Sequence, residues 1–222
     1  MNRFIWTILL ALIGLSACQT QISILGDSYS TFGGHVLPDT NYVWYGIPDK
    51  KAQNDVTKVE EMWWHPIVNR EGYRLEQNNS FSGSTICNTG YRGEDYSNRS
   101  FITRLTKLGN PDIILVFGGT NDSWAKAPIG EFKYNNWTIE ELYTFRPAFA
   151  FMLFALKNKY PKAKIYNITN SELSNEVSES MNEICNYYEI SNILLEDIDK
   201  QAGHPSVSGM KSIAQQVLDR MQ

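Results

Sequence analysis

Four short blocks in the sequence combine glycine with residues that can do chemistry, and they lie far apart along the chain. The first, Gly26–Asp27–Ser28, follows an apolar, β-branched run. A serine at a strand-to-helix turn holds its hydroxyl at the sheet edge with backbone N–H groups facing the same space, which suits a nucleophile with a built-in oxyanion donor. The second is Phe81–Ser82–Gly83–Ser84, where a glycine lets the backbone approach a ligand closely. In the third, Gly118–Gly119–Thr120–Asn121–Asp122, the asparagine amide is an uncharged donor that serves an oxyanion at any pH. The fourth, Gly203–His204–Pro205, stands just ahead of the last helical stretch. A histidine there can take a proton from Ser28 and later return it to a leaving group. Taken singly, each block also reads as something ordinary: a turn with a helix cap, a loop glycine, an Asx-turn, a surface or capping histidine. His65, in Trp63–Trp64–His65–Pro66, is a rival base, and His35 after Gly33–Gly34 is a candidate for the pocket wall.

The elements that must position these blocks alternate between short apolar runs and longer amphipathic stretches. Strands are expected at residues 21–25, 73–77, 112–117, 164–168 and 192–195. The run Asp-Ile-Ile-Leu-Val-Phe is the clearest buried one, with Gly118–Gly119 after it. Helices are expected at 55–69, with Pro66 as a kink or late boundary, at 101–108 and at 176–188. A long helix is expected from Thr138, where Glu141 completes a capping box, to about Lys159, with Pro147 interrupting its first half. The last helix runs over 206–221, with Val207, Met210, Ile213, Ala214, Val217, Leu218 and Met221 on one face. Such alternation implies an α/β fold with a mostly parallel sheet covered on both faces, whose ligand chemistry collects at the carboxyl ends of the strands. The four blocks fall at or near such ends.

In this order, each in its own loop, the four blocks resemble the SGNH (GDSL-type) hydrolase family. The resemblance spans Gly26 to the C-terminus, and Gly-Gly-Thr-Asn-Asp and the late His-Pro are its more specific parts. It implies a three-layer α/β/α sandwich. It also implies Ser28 as nucleophile, His204 as base, and an oxyanion hole made by the Ser28 and Gly83 N–H groups with the Asn121 amide. One position departs from the family pattern. The aspartate that usually stands three residues before the histidine, orienting the imidazole and stabilising its charged form, is Gln201 here. Gln201 brings a side-chain oxygen without charge, Asp199 and Asp197 lie nearby, and a backbone carbonyl is a further candidate to orient His204. The expectation is a Ser–His dyad with partial support.

Composition narrows the setting. The chain has 222 residues, 42% hydrophobic and 20% charged, enough apolar material for one core and unlike a disordered segment. A net charge of −4 and the lack of any basic run argue against a nucleic-acid partner. Three scattered cysteines and three scattered histidines form no local zinc pattern, and the expected chemistry needs no cofactor. Residues 1–17 read as a signal peptide: Met1–Asn2–Arg3, then an apolar run over 4–15 too short to span a bilayer comfortably. Leu15–Ser16–Ala17–Cys18 looks like a bacterial lipobox. That resemblance implies cleavage before Cys18, lipidation of its thiol and new amine, and an exported, membrane-tethered domain over 18–222. Cys87 and Cys185 are then either a disulfide or two buried thiols.

Two long irregular stretches, 31–51 and 123–137, are rich in aromatics, including Tyr42, Trp44, Tyr45, Trp124, Phe132, Tyr134 and Trp137. Such loops tend to be lids or binding loops, and exposed rings there suit stacking on sugars, although they equally suit a local core beneath the loops. Neither stretch has the aliphatic surface of a lipase lid. The sequence therefore favours an O-acyl esterase acting on carbohydrate. A lipid acylhydrolase or thioesterase using the same residues, and a weakly active glycan-binding lipoprotein, are the alternatives.

Overall fold

The structure, a computed structural model, describes residues 19–47 and 53–221, so the expected signal peptide and Cys18 lie outside the described residues. Five strands, β1 Thr20–Gly26, β2 Tyr73–Ser80, β3 Ile113–Phe117, β4 Lys164–Thr169 and β5 Ser191–Leu194, form one sheet in the order β2-β1-β3-β4-β5. Every pairing in it is parallel. Successive side chains of a strand point to opposite faces, so each central strand feeds two cores. Leu25, Ile114, Val116 and Ile165 meet α2 (Phe101–Arg104), α4 (Phe145–Lys159) and α5 (Asn175–Tyr187). Ile22, Ile24, Leu115, Phe117, Tyr166 and Ile168 meet α1 (His65–Val68) and α6 (Val207–Arg220). The result is the expected three-layer α/β/α arrangement, with a short helix α3 (Thr120–Ala125) at the sheet rim.

Some elements differ from expectation for identifiable reasons. The segment 55–69 is not one helix: it holds a 3-10 turn at Val59–Glu61 and then α1, which begins around Pro66. Likewise the 138–159 stretch divides into a 3-10 turn, Glu140–Tyr143, and α4, whose first turn contains Pro147. Proline lacks an N–H, which costs nothing in a first turn where N–H groups have no helical partner. Both prolines therefore mark helix starts, whereas the sequence pattern puts Pro66 at a kink or late boundary and Pro147 at an interruption. The Thr138–Glu141 reciprocal bonds do form, at 2.7 and 3.4 Å, but they close the 3-10 turn. The first N–H groups of α4 go instead to the carbonyls of Pro128 and Ile129.

Strand β2 runs three residues past its expected end, through Asn78, Asn79 and Ser80, all buried. Their side chains are satisfied by distant partners: Asn78 Nδ2 donates to Ser30 O at 2.9 Å and Asn79 Nδ2 to Lys107 O at 2.9 Å. Cys87 and Cys185 are both buried free thiols, and burial pushes both well above the usual thiol range.

Candidate active site

At the carboxyl end of β1 the chain turns sharply at Gly26, where a Cβ would lie 2.6 Å from both the Ser30 and Ser80 hydroxyls, so only glycine fits. Asp27 then caps a 3-10 turn over Ser28–Ser30, its Oδ1 accepting from the Tyr29 N–H at 3.0 Å. This turn presents Ser28 to His204, whose Nε2 lies 3.0 Å from Ser28 Oγ across a separation of 176 residues.

His204 sits on a two-stranded hairpin, β6 (Lys200–Gln201) and β7 (His204–Pro205). Its two-residue turn places Ala202 and Gly203 at φ +49° and +74°, the positive values of a type I′ hairpin. That turn brings the Ala202 carbonyl to 3.2 Å from His204 Nδ1. Two of the side chains that the sequence puts forward to orient the imidazole, Gln201 and Asp199, are engaged elsewhere. Gln201 Oε1 accepts from the Asp55 N–H at 2.9 Å. Asp199 accepts from the hydroxyl of Ser206, the N-cap of α6. A backbone carbonyl, that of Ala202, does stand beside Nδ1. Gln201→Asp is accordingly expected to change kcat by no more than about twofold, the ordinary range for an exposed side chain away from the reacting atoms. Steady-state turnover of a short acyl ester checks this.

The irregular segment after the first block braces the histidine hairpin. Tyr29 OH donates to Gly203 O at 2.7 Å, Tyr45 OH to Pro205 O at 2.9 Å, and Asn54 Nδ2 to His204 O and Pro205 O at 3.3 and 3.1 Å. Asp55 accepts the Val207 N–H in the first turn of α6. The Trp44 ring lies flat on the His204 imidazole, centroids 3.7 Å apart and planes 6° from parallel. Tyr29 and Trp124 meet the same imidazole edge-on at 5.3 and 6.0 Å.

Across the cleft, Gly83 has φ +80°, with nothing within 4 Å of where a Cβ would stand. Glycine is required there by backbone conformation, and the space before its backbone is open. The loop it begins is held by Asp122, which accepts the Ile86 and Cys87 N–H groups at 2.8 and 3.2 Å. Its neighbour on α3, Asn121, is oriented by a second contact: Tyr91 OH donates to Asn121 Oδ1 at 2.8 Å. This fixes which end of the amide is the donor, and Nδ2 reaches Asp27 Oδ2 at 3.4 Å.

Beneath both loops lies Arg104, only 5% exposed. Its guanidinium donates to Gly26 O (3.1 Å), Ser84 Oγ (2.9 Å), Arg99 O (2.8 Å) and Asn79 O. One side chain thus ties the serine turn to the Gly83 loop. Among the described residues, no group of His, Cys, Asp and Glu is clustered to hold a metal ion.

Burial raises the pKa of Asp27 to about 7, the nearby Asp122 charge adding and the Tyr29 N–H and Arg104 opposing, and burial likewise raises Asp122 to about 6. Burial lowers Arg104 to about 9, which still leaves it charged at neutral pH. A carboxyl raised in the folded state binds protons that the unfolded chain releases, so stability falls as pH rises between the two pKa values. For Asp27 the loss from pH 5.5 to 8 is on the order of 2 kcal/mol. The exposed carboxylates with lowered pKa, such as Asp95, Glu140 and Glu141, are already ionised in that window. Urea midpoints should therefore fall between these pH values in the native protein and fall less in Asp27→Asn.

The structure joins Ser28 to His204 directly, links Asn121 to Asp27 beside the serine, and ties the loop that holds Gly83 and Ser84 to Gly26 through Arg104. His65 instead begins α1, beside Trp64, and His35 lies against Phe32 and Trp64. Sequence reasoning missed Tyr91, Asp122, Arg104 and Ala202 as supports of the site. Only Asp122 carried a signal, as the last residue of the third block.

The fold is thus an α/β/α sandwich with a Ser–His pair at the rim of its parallel sheet. The model of the GDSL-like lipase/acylhydrolase family matches residues 20–221, and the chain belongs to this SGNH/GDSL hydrolase family. No curated protein matches the sequence. Among solved structures, a GDSL-like lipase family protein from Bacteroides uniformis is 64% identical, with a TM-score of 0.90 over 91% of this chain and 95% of its own. Another from Bacteroides ovatus is 55% identical, with a TM-score of 0.89 over 91% and 98%. An acetyl xylan esterase from the rumen bacterium Butyrivibrio proteoclasticus shares the fold at 14% identity, with a TM-score of 0.54 over 91% of this chain and 63% of its own.

Proposed function

We propose that the protein is a serine ester hydrolase that removes short O-acyl groups, acetyl foremost, from carbohydrate. The observation that carries the reading is the 3.0 Å contact between Ser28 Oγ and His204 Nε2 at the rim of the sheet. In the first half-reaction Ser28 Oγ attacks the ester carbonyl while its proton passes to Nε2. The oxyanion is met by the Ser28 and Gly83 N–H groups and the Asn121 amide, which Tyr91 holds in the donating orientation. His204 then gives its proton to the departing sugar hydroxyl, leaving an acyl-Ser28. Water, deprotonated by the same nitrogen, releases the acid in the second half-reaction, so no cofactor is needed.

Carbohydrate is favoured over long acyl chains by the rings at the rim. Trp124 and Tyr42 are 43% and 69% exposed, and Tyr42 meets Phe81 in the Gly83 block edge-on at 5.3 Å. Aromatic faces of this kind suit the apolar C–H faces of sugar rings. The acetyl xylan esterase with the same fold is in keeping with the reading. By the lipobox, Cys18 carries the lipid anchor of an exported protein, to be checked by the mass of the mature N-terminal peptide. The substrate reading is tested with p-nitrophenyl acetate, p-nitrophenyl octanoate and acetylated xylo-oligosaccharide. Acetate should exceed octanoate in kcat/KM by at least about tenfold, ~1.4 kcal/mol, and acetate should be released from the oligosaccharide. Preference for octanoate would mark a lipid acylhydrolase. Glycan binding without turnover would mark a binding protein.

A further inference from the structure

Nε2 of the His204 imidazole lies 3.0 Å from Ser28 Oγ, and Nδ1 lies 3.2 Å from Ala202 O. Both contacts are made at the edge of the ring. Trp44 supplies a contact of a different kind: a face-to-face stack, 3.7 Å between centroids and 6° between planes. A flat surface at that distance permits only one plane for the imidazole.

The position of Trp44 is itself tied to the nucleophile. Its backbone N–H donates to Thr31 Oγ1 at 2.9 Å, and that hydroxyl donates to the Ser28 carbonyl at 3.0 Å. The next residue, Tyr45, pairs with Phe32 in a parallel bridge and donates its hydroxyl to Pro205 O, next to His204. The indole is therefore located relative to both members of the Ser28–His204 pair. When Ser28 gives up its proton, the positive charge that appears on the imidazole lies over an indole face, and an indole attracts a cation placed within about 6 Å of its ring centroid. The Ala202 carbonyl, a neutral dipole, acts in the same direction from the ring edge.

We propose that Trp44 is a positioning residue for the base: it fixes the plane of the His204 imidazole and stabilises the imidazolium formed as the proton moves from Ser28 Oγ to Nε2. Trp44 forms and breaks no bond in this step. The inference rests on the Ser28–His204 reading above and adds to it a part of the irregular 31–51 segment whose rings the sequence assigned either to sugar stacking or to a local core.

The test compares Trp44→Leu, which keeps apolar bulk but has no π face, with Trp44→Phe, which keeps a flat ring. Two readouts are used: kcat and KM for p-nitrophenyl acetate, and the second-order rate at which a fluorophosphonate labels Ser28. In Trp44→Leu, kcat and the labelling rate should both fall about tenfold, ~1.4 kcal/mol, with KM unchanged. Trp44→Phe should recover most of both. Trp44→Met carries the same expectation as Trp44→Leu if the latter does not fold. A raised KM with unchanged kcat would overturn the proposal and make Trp44 a wall of the substrate site. Equal losses in the leucine and phenylalanine variants would also overturn it, making the ring a space filler. If wild-type Ser28 is not labelled at all, the Ser–His reading itself fails. Labelling of wild type and Trp44→Leu at equal rates would defeat only the role of Trp44.

Discussion

Replacing Ser28 with alanine is expected to lower kcat by at least about 10⁴-fold, and His204→Ala by a similar factor. The two losses should not add. With the serine gone, Nε2 has no proton to take in the first step, so the Ser28→Ala/His204→Ala double variant should be no slower than the worse single variant within error. On the proposed mechanism, the residual rate measures what the Gly83 backbone and the Asn121 amide contribute to binding and to oxyanion charge. The measurement is turnover of p-nitrophenyl acetate by each variant, with thermal melting to show that the fold persists. Ser28→Ala removes one exchangeable oxygen from a turn whose cap is made by Asp27, so its melting should be close to wild type. Activity surviving in both single variants would remove Ser28 and His204 from the mechanism.

The second large effect is on stability. Arg104→Ala is expected to cost about 3–5 kcal/mol, the range for removing one partner from a buried charged network. Native domains carry about 5–15 kcal/mol in total, so the urea midpoint should fall by roughly a fifth or more. The loss comes from several places at once. The carbonyls of Gly26, Asn79 and Arg99 and the Ser84 hydroxyl lose a buried donor, and each unpaired group costs about 1–3 kcal/mol before relaxation. Asp27, pushed up by burial, also loses a nearby positive charge that opposes that rise. Arg104→Lys should be intermediate, because an ammonium keeps the charge but cannot reach four acceptors with one planar fork. A lysine variant as stable as wild type would show that charge alone, and not the fork, holds the two loops together.

Much of the fold can be read from the chain because its central strands are continuous apolar runs ended by glycine. The run before Gly118–Gly119 and the run before Gly26 admit few other readings. What could not be read are places where distant parts of the chain satisfy local polarity. Asn78–Asn79–Ser80 lies past the expected end of its strand, yet it is buried strand, since Ser30 and Lys107 supply acceptors from elsewhere. Pro66 and Pro147 were misplaced because a proline's effect depends on where the helix begins, and neighbouring carbonyls settle that.

The site divides in the same way. Ser28, Gly83, Asn121 and His204 stood out because glycine beside a reactive residue at a strand end is a local pattern. The Ala202 carbonyl at Nδ1 leaves no mark on the sequence, because every residue has a carbonyl and only the hairpin's backbone angles aim this one. Gln201 drew attention by its spacing, but the two-residue turn pairs it across the ladder with His204 and its side chain goes to Asp55. Arg104, on the short helix expected over 101–108, stands in no local pattern that marks it.

The five strands all point the same way, which gives the molecule a front and a back. Gln19 enters at the back, and β1 then carries the chain forward over seven residues, roughly 20 Å, before it delivers Ser28 at the front. Under the proposed anchoring through Cys18, which precedes Gln19 in the sequence, the tether would leave from the back and the reactive rim would face away from it. Esters arriving from the surroundings would meet Ser28 directly, whereas those of the supporting bilayer would lie behind the sheet.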